Sequence, residues 1–254
     1  MSQNSGAVPV SNPVLDFVKE VGTIVVIVVV FLTLVAQNFY VPSGSMEPTL
    51  QIGDALLAAK YPYGYSRYSV PFGIGPASDT RLFGKLPKRG DVVIFRLPRD
   101  PSQTYVKRVI GLPGDHVQMI SGRLWINGKK LALQAAGVAA DEDETGAPVP
   151  TPEFIETLPG GVKHPIFKRG WNGPLDNTDV YVVPPGHLFM MGDNRDDSDD
   201  SRVPPEEQGV GYVPVENLMG RAEIVLGSYD FLNAHGPLSW PGLLRFSRIL
   251  HPVH

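Results

Sequence analysis

The chain has 254 residues, with Gly and Pro together making about a fifth of it, no cysteine, and a formal net charge of −4. That length suits an anchor plus one large domain, or two small ones, and the Gly and Pro share suits a turn-rich β protein better than a helical one. The acidic balance gives no electrostatic case for nucleic-acid binding, and without cysteine there is neither a disulfide framework nor a thiolate metal site.

Taken in order, the chain first offers an apolar run. Val21 to Ala36 is apolar apart from two threonines, and no charge occurs between Glu20 and Glu47. With Gln37 to Val41 added, the uncharged stretch reaches the roughly 20 residues that a bilayer core requires. A cleaved secretory signal would have a basic start, a short apolar core and a small-residue cleavage site. Here the start is poor in positive charge, the core is long, and Gln37-Asn38-Phe39 follows. A retained span over 21–40 is therefore expected, behind a short tail, 1–20. Lys19 precedes the span and no Lys or Arg follows until Lys60, which favours a cytoplasmic N-terminal side and places the rest outside the cytoplasm.

Val-Pro-Ser-Gly-Ser-Met-Glu-Pro-Thr-Leu, residues 41–50, comes next. Its prolines fix φ and break helix, and Gly44 permits close backbone approach. Such a loop can aim a hydroxyl and a backbone N–H at one point, or it is simply a turn between an anchor and a domain. Residues 52–58 predict a short strand after a Gly-Asp turn. Residues 60–88, rich in Gly, Pro, Tyr and Ser, predict a long loop whose aromatics, Phe72 among them, pack against it or cover apolar surface near a membrane. The Gly-Asp-then-apolar pattern returns at 89–95, and 104–111 is a strand by its β-branched content. Residues 117–120 and 123–126 predict a hairpin. Residues 131–180, Ala- and acid-rich with little periodicity, read as an insertion, part hairpin and part loose loop. Strands are expected at 181–183, 187–191, 213–215 and 221–226. The domain outside the anchor is thus mainly β, over 41–130 and 181–230. The tail, 231–254, allows a short amphipathic helix over its last fourteen residues, either on a membrane surface or docked on the domain.

Ser45 is a candidate nucleophile, but a serine hydroxyl is weak without a base. His116 and His187 sit at strand or turn edges, no Gly-x-Ser-x-Gly elbow exists, and no histidine has metal-ligand spacing. Lys107 lies within a strand and shares a face with Tyr105 and Val109 by alternation. If it is buried, desolvation disfavours the ammonium and frees an amine to act as a base; if not, it is an ordinary surface lysine. The run from Gly192 to Arg202 does not match a calcium-binding loop, because Ser198 and Pro204 occupy the positions that need Gly and Glu. An ion-paired loop with Arg195 and Arg202 as internal partners is the alternative.

Four segments together resemble bacterial type I signal peptidases: Pro42-Ser-Gly-Ser-Met-Glu-Pro-Thr-Leu50, Arg89-Gly-Asp-Val-Val-Ile-Phe95, Tyr105-Val-Lys-Arg-Val-Ile-Gly-Leu-Pro-Gly-Asp115 and Gly192-Asp-Asn-Arg-Asp-Asp-Ser-x-Asp-Ser-Arg202. They occur in the family's order behind a span. Glu47 departs from the apolar residue many members carry, and only one span is clear where some members have two. The resemblance implies a mainly β, antiparallel-sheet catalytic domain with a β-rich insertion behind one transmembrane helix. It implies a serine endopeptidase that removes signal peptides from exported preproteins after small residues at −1 and −3. Ser45 would be the nucleophile and Lys107 the general base, with the Ser45 N–H and the Ser43 hydroxyl forming the oxyanion hole. Ser198 would hydrogen-bond and orient the lysine amine, and Asp193, Arg195, Asp200 and Arg202 would brace that loop. Pro42, Met46, Leu50 and Val106 would form the substrate pockets. No metal or cofactor is implied. The partners would be preprotein signal peptides and the lipid bilayer, with the protein acting as a monomer at a bacterial inner membrane, its catalytic domain on the periplasmic side. The rival readings are another Ser/Lys protease, a Ser-His-Asp hydrolase using His116 or His187, and a membrane-anchored β scaffold without catalysis.

Overall fold

The computed structural model describes residues 12–69, 81–142, 147–230 and 240–253. Phe72, and the histidines at 235 and 254, lie outside the described residues. One α-helix, α1 (Pro13–Leu34), opens the described chain. The Asn12 side-chain oxygen accepts from the Val14 and Leu15 N–H groups, Pro13 stands where no intrahelical donor is needed, and Asp16 lies in the positive first turn. Its 22 residues carry a mean hydropathy of 2.4 in their most apolar stretch. At 1.5 Å per residue the helix is about 33 Å long, enough for a hydrocarbon core.

The helix differs from the expected span at both ends: it starts at Pro13 rather than Val21 and stops at Leu34. Residues 36–40 form strand β1 (Ala36–Tyr40), antiparallel to β2 (Asp54–Ala59) from Ala36 opposite Ala59 to Tyr40 opposite Ala55. Gln37 and Asn38 would be costly in lipid, and the ladder offered by β2 gives their backbone groups partners. Lys60 ties the junction together. Its buried amine donates to Leu32 O at 2.6 Å and to Ser69 O at 2.5 Å, and Tyr65 Oη donates to Leu34 O at 2.6 Å. The Leu32 and Leu34 carbonyls are among those that a helix end leaves without intrahelical partners.

The remaining strands are β3 (Val92–Leu97), β4 (Asp100–Gly111), β5 (His116–Ile120), β6 (Arg123–Ile126), β7 (Lys129–Lys130), β8 (Ala132–Glu142), β9 (Pro148–Thr157), β10 (Lys163–Phe167), β11 (Tyr181–Val182), β12 (His187–Met191), β13 (Val213–Pro214), β14 (Leu218–Ser228) and β15 (His251–Pro252). The main sheet runs β1-β2-β14-β3-β4-β12-β13, with β15 also on β14; smaller sheets run β11-β5-β6-β7 and β10-β9-β8. The strand pairs are antiparallel. The mainly β, antiparallel architecture with a β-rich insertion agrees with the expectation, and among the described residues no α-helix follows α1.

The insertion is more ordered than a hairpin and loose loop. β8 and β9 are long, and β10 adds a third strand. The prolines explain why the sequence hid this. Pro148, Pro150 and Pro152 alternate along β9, so the N–H groups they lack would all point to one side. β10 pairs only with residues 153–157, leaving that side of the proline half without a ladder in which the donors would be needed.

The C-terminal stretch does not form the amphipathic helix. Short 3-10 turns at Trp240–Leu243 and Phe246–Arg248 lead into β15. Arg248 pairs with the buried Asp54, and Arg245 Nη1 donates to Ile52 O at 2.7 Å. These anchors, with the β15 ladder, give the backbone better partners than one isolated helical turn would.

Candidate active site

The loop between β1 and β2 turns through a 3-10 helix, Gly44–Met46. Met46 and Leu50 plug into the core below it, both fully buried, in one cluster with Val41, Leu56, Ile94 and Val225. These anchors hold the loop so that Ser45 faces β4, where Lys107 pairs with Val93 of β3. Lys107 Nζ stands 2.5 Å from Ser45 Oγ in a hydrogen bond. The lysine is 3% exposed. Burial drives its pKa down to about 8, only partly offset by the negative charges of Asp200 and Asp199. Among the described residues no carboxylate ion-pairs with it. Its amine lies 5.6 Å from the Tyr105 ring centroid, the neighbour that strand alternation places on the same face.

Ser43 Oγ is 3.4 Å from Ser45 Oγ, so both hydroxyls face one point. Asn194 holds the loop from behind: its N–H donates to Ser45 O at 3.2 Å and its side-chain amide to Gly44 O at 3.3 Å. Ser198 lines the same cleft, but its hydroxyl makes no bond to Lys107; Oγ is buried without a partner among the described residues. Gly192 packs so tightly here that a Cβ would collide with Ser198 Oγ and Ser45 O.

The bracing residues divide their work differently from the expectation of a self-contained loop. Asp200 accepts from Arg202 Nε and Nη2, each at 2.8 Å, and from Gly192 N at 3.0 Å, which closes the loop on itself. Asp193 instead reaches Arg108, accepting from its Nε and Nη2 at 2.8 and 2.7 Å. Burial pushes the Asp193 pKa up, but Arg108 and His164 more than offset this and hold it far below the usual carboxylate range. Arg195 pairs with Glu156 of the insertion. Thr49, Arg108, Glu156 and His164 were not singled out from the sequence as site residues. Arg108 had a signal, a second basic residue within an apolar strand; Glu156 and His164 had none.

The cleft at Ser45 has a volume of about 670 Å³. Pro42 and Val106 line it. Met46 and Leu50 do not, because they lie beneath the loop in the core, and the apolar wall is supplied by Ile52, Leu56, Ile94 and Leu175. Neither His116 nor His187 lines the cleft. Among the described residues no group of His, Asp and Glu is arranged to hold a metal ion. Chemically, the arrangement offers a hydroxyl bonded to a desolvated amine in a cleft with one apolar wall, which is the equipment for nucleophilic attack on a carbonyl.

Comparison with known proteins gives a consistent set of relatives. The family described as "Signal peptidase, peptidase S26" matches residues 14–227. A signal peptidase I of Rickettsia akari is 41% identical over 199 residues, 76% of this chain and 71% of that protein. One from Rickettsia typhi is 41% identical over 209 residues, 80% of this chain and 76% of that protein. The crystal structure of a signal peptidase I from Enterococcus faecalis is 28% identical, with a TM-score of 0.33, covering 54% of this chain and 97% of that one.

Proposed function

The chain belongs to the signal peptidase family, peptidase S26, and from that premise we propose that it removes signal peptides as a Ser/Lys-dyad endopeptidase. A peptidase and signal-peptide removal come with the family, and the one N-terminal apolar helix among the described residues fits a single-pass membrane protein. The observation that carries the mechanism is the 2.5 Å bond between Ser45 Oγ and a lysine amine that is buried and lacks a carboxylate partner among the described residues.

In this reading the neutral Lys107 amine accepts the Ser45 proton as Oγ attacks the scissile carbonyl. The Ser45 N–H and the Ser43 hydroxyl donate to the oxyanion. Lys107 then passes its proton to the leaving amine, and the C–N bond breaks to leave an acyl-enzyme. Lys107 next takes a proton from water, hydroxide equivalent adds to the ester carbonyl, and the proton returns to Ser45 as the signal peptide departs. Ser198, whose buried hydroxyl is packed against Gly192 without a partner among the described residues, would orient the amine. Asp193, Arg195, Asp200 and Arg202 keep its loop in place.

Preproteins with small residues at −1 and −3 are the substrates. An extended peptide presents alternate side chains to one face, and the shallow wall of Pro42, Val106, Ile52 and Ile94 rejects large ones by size. The bilayer is the second partner, since tethering raises the effective concentration of substrates held in the same membrane. The protein acts as a monomer in a bacterial inner membrane, with the sheet domain on the periplasmic side. Incubating the purified chain with a preprotein in detergent or lipid tests this. Lys107→Ala is expected to abolish cleavage, while His116→Ala and His187→Ala leave it near wild type; cleavage lost in either histidine variant instead would favour a Ser-His-Asp enzyme.

A further inference from the structure

The inserted sheet has no part in the mechanism above, yet its polar groups converge on the loop beside the dyad. Glu156 on β9 accepts from both terminal nitrogens of Arg195, from Nη1 at 2.9 Å. His164 on β10 sits between two carboxylates, with Nδ1 3.2 Å from Asp193 Oδ1 and Nε2 3.4 Å from Glu156 Oε2. Its side chain is fully buried. The backbones join as well: Phe167 N donates to Asp193 O at 2.9 Å, and Arg195 N donates to Phe167 O at 3.0 Å.

Asp193 carries this grip to the dyad. Its carboxylate accepts from Thr49 Oγ1 at 2.5 Å and from Arg108 at 2.8 and 2.7 Å. Thr49 belongs to the loop that bears Ser45, and Arg108 directly follows Lys107 on β4. One carboxylate thus touches the segments that hold both members of the pair, and the inserted sheet holds that carboxylate. A buried set of paired charges has few alternative arrangements, whereas residues 192–202 alone, rich in Asp and Ser, would have many.

We infer that the inserted sheet is a positioning element for the Ser45–Lys107 pair, with Glu156 and His164 as its positioning residues; the inference rests on the dyad reading above. A merely structural role would lower stability without altering the chemistry of the folded fraction. A positioning role alters the chemistry itself, because misplacing reacting atoms by about 1 Å costs on the order of 100-fold in rate.

The test uses the full chain in detergent, with Glu156→Gln and His164→Asn as variants and Val138→Thr, at an exposed position on β8, as control. On a preprotein substrate, kcat in the two variants is expected to fall about 10- to 100-fold with KM unchanged. The ascending limb of the pH–rate profile should also move to higher pH, because a loosened loop admits water to the Lys107 amine. The control should match wild type in both readouts. Lower melting temperatures with wild-type kcat and an unmoved limb would overturn the inference. Should Glu156→Gln fail to fold, His164→Asn, which retains polar reach toward Asp193 and loses it toward Glu156, decides alone on the same readouts. Ser45→Ala run alongside separates the two failures. An inactive Ser45→Ala beside wild-type kinetics in both variants overturns the positioning role alone, whereas an active one overturns the dyad and the inference with it.

Discussion

Lys107 and Arg108 are consecutive on β4, and both are buried, at 3% and 0% exposure. Their side chains leave the strand on opposite faces and meet opposite surroundings. Arg108 finds Asp193 in a two-point ion pair, with Gly90 O and Thr49 Oγ1 taking further donors. Lys107 finds a hydroxyl, an aromatic ring and no ion-paired carboxylate among the described residues. A buried charge with its counter-charge stays charged and serves as structure. A buried amine without one loses its proton more readily and becomes available for chemistry. The same strand therefore supplies a brace on one face and a base on the other.

The comparison breaks most visibly at the base. Lys107→Met should lower kcat by about 10²- to 10⁴-fold, the range for a lost general base, while the melting temperature stays near wild type or rises. Arg108→Met should behave in the opposite way. Its main effect is on stability: it strands Asp193 as a buried unpaired charge, so unfolding in denaturant should show a loss of about 3–5 kcal/mol, while kcat of the folded fraction falls only about 10- to 100-fold, as for a loosened pair. A next, smaller effect sharpens the face on which the chemistry lies: Ser43→Ala should cost about 10²- to 10³-fold in kcat through a missing oxyanion donor, with KM little changed. The smallest effect concerns the braces and pH. Asp193, Glu156 and Asp200 all have pKa values held below normal, where arginine partners outweigh the burial that opposes them. The unfolded chain therefore takes up protons at higher pH than the folded one. Their stabilisation is present above the unfolded carboxylate pKa of about 4 and is lost as the pH falls below it, which acid unfolding followed by circular dichroism would register.

Much of the site was legible because its chemistry is local. Ser43, Ser45 and the prolines around them announce a rigid loop with hydroxyls, and Lys107 stands out in an otherwise β-branched strand. The strands at 117–120, 123–126 and 187–191 follow from alternation and turn residues. What the sequence concealed depends on distant pairings. β14 lies between β2 and β3, so no local pattern reveals that Leu56 and Ile94 share one cleft wall while Met46 and Leu50 sink into the core. Ala36–Tyr40 continues an uncharged run, and only β2 makes it a strand. The alternating prolines of β9 disguise a sheet whose Glu156 and His164 reach the loop from outside its own sequence.

The claim on which all of this depends is that Lys107 is a neutral base at working pH, and the pH dependence of kcat/KM for preprotein cleavage tests it most directly. The profile should rise along a limb centred near pH 8, where burial places the Lys107 pKa, and level off well below the ordinary lysine value of about 10.4. Activity that kept climbing to that ordinary value would contradict the account.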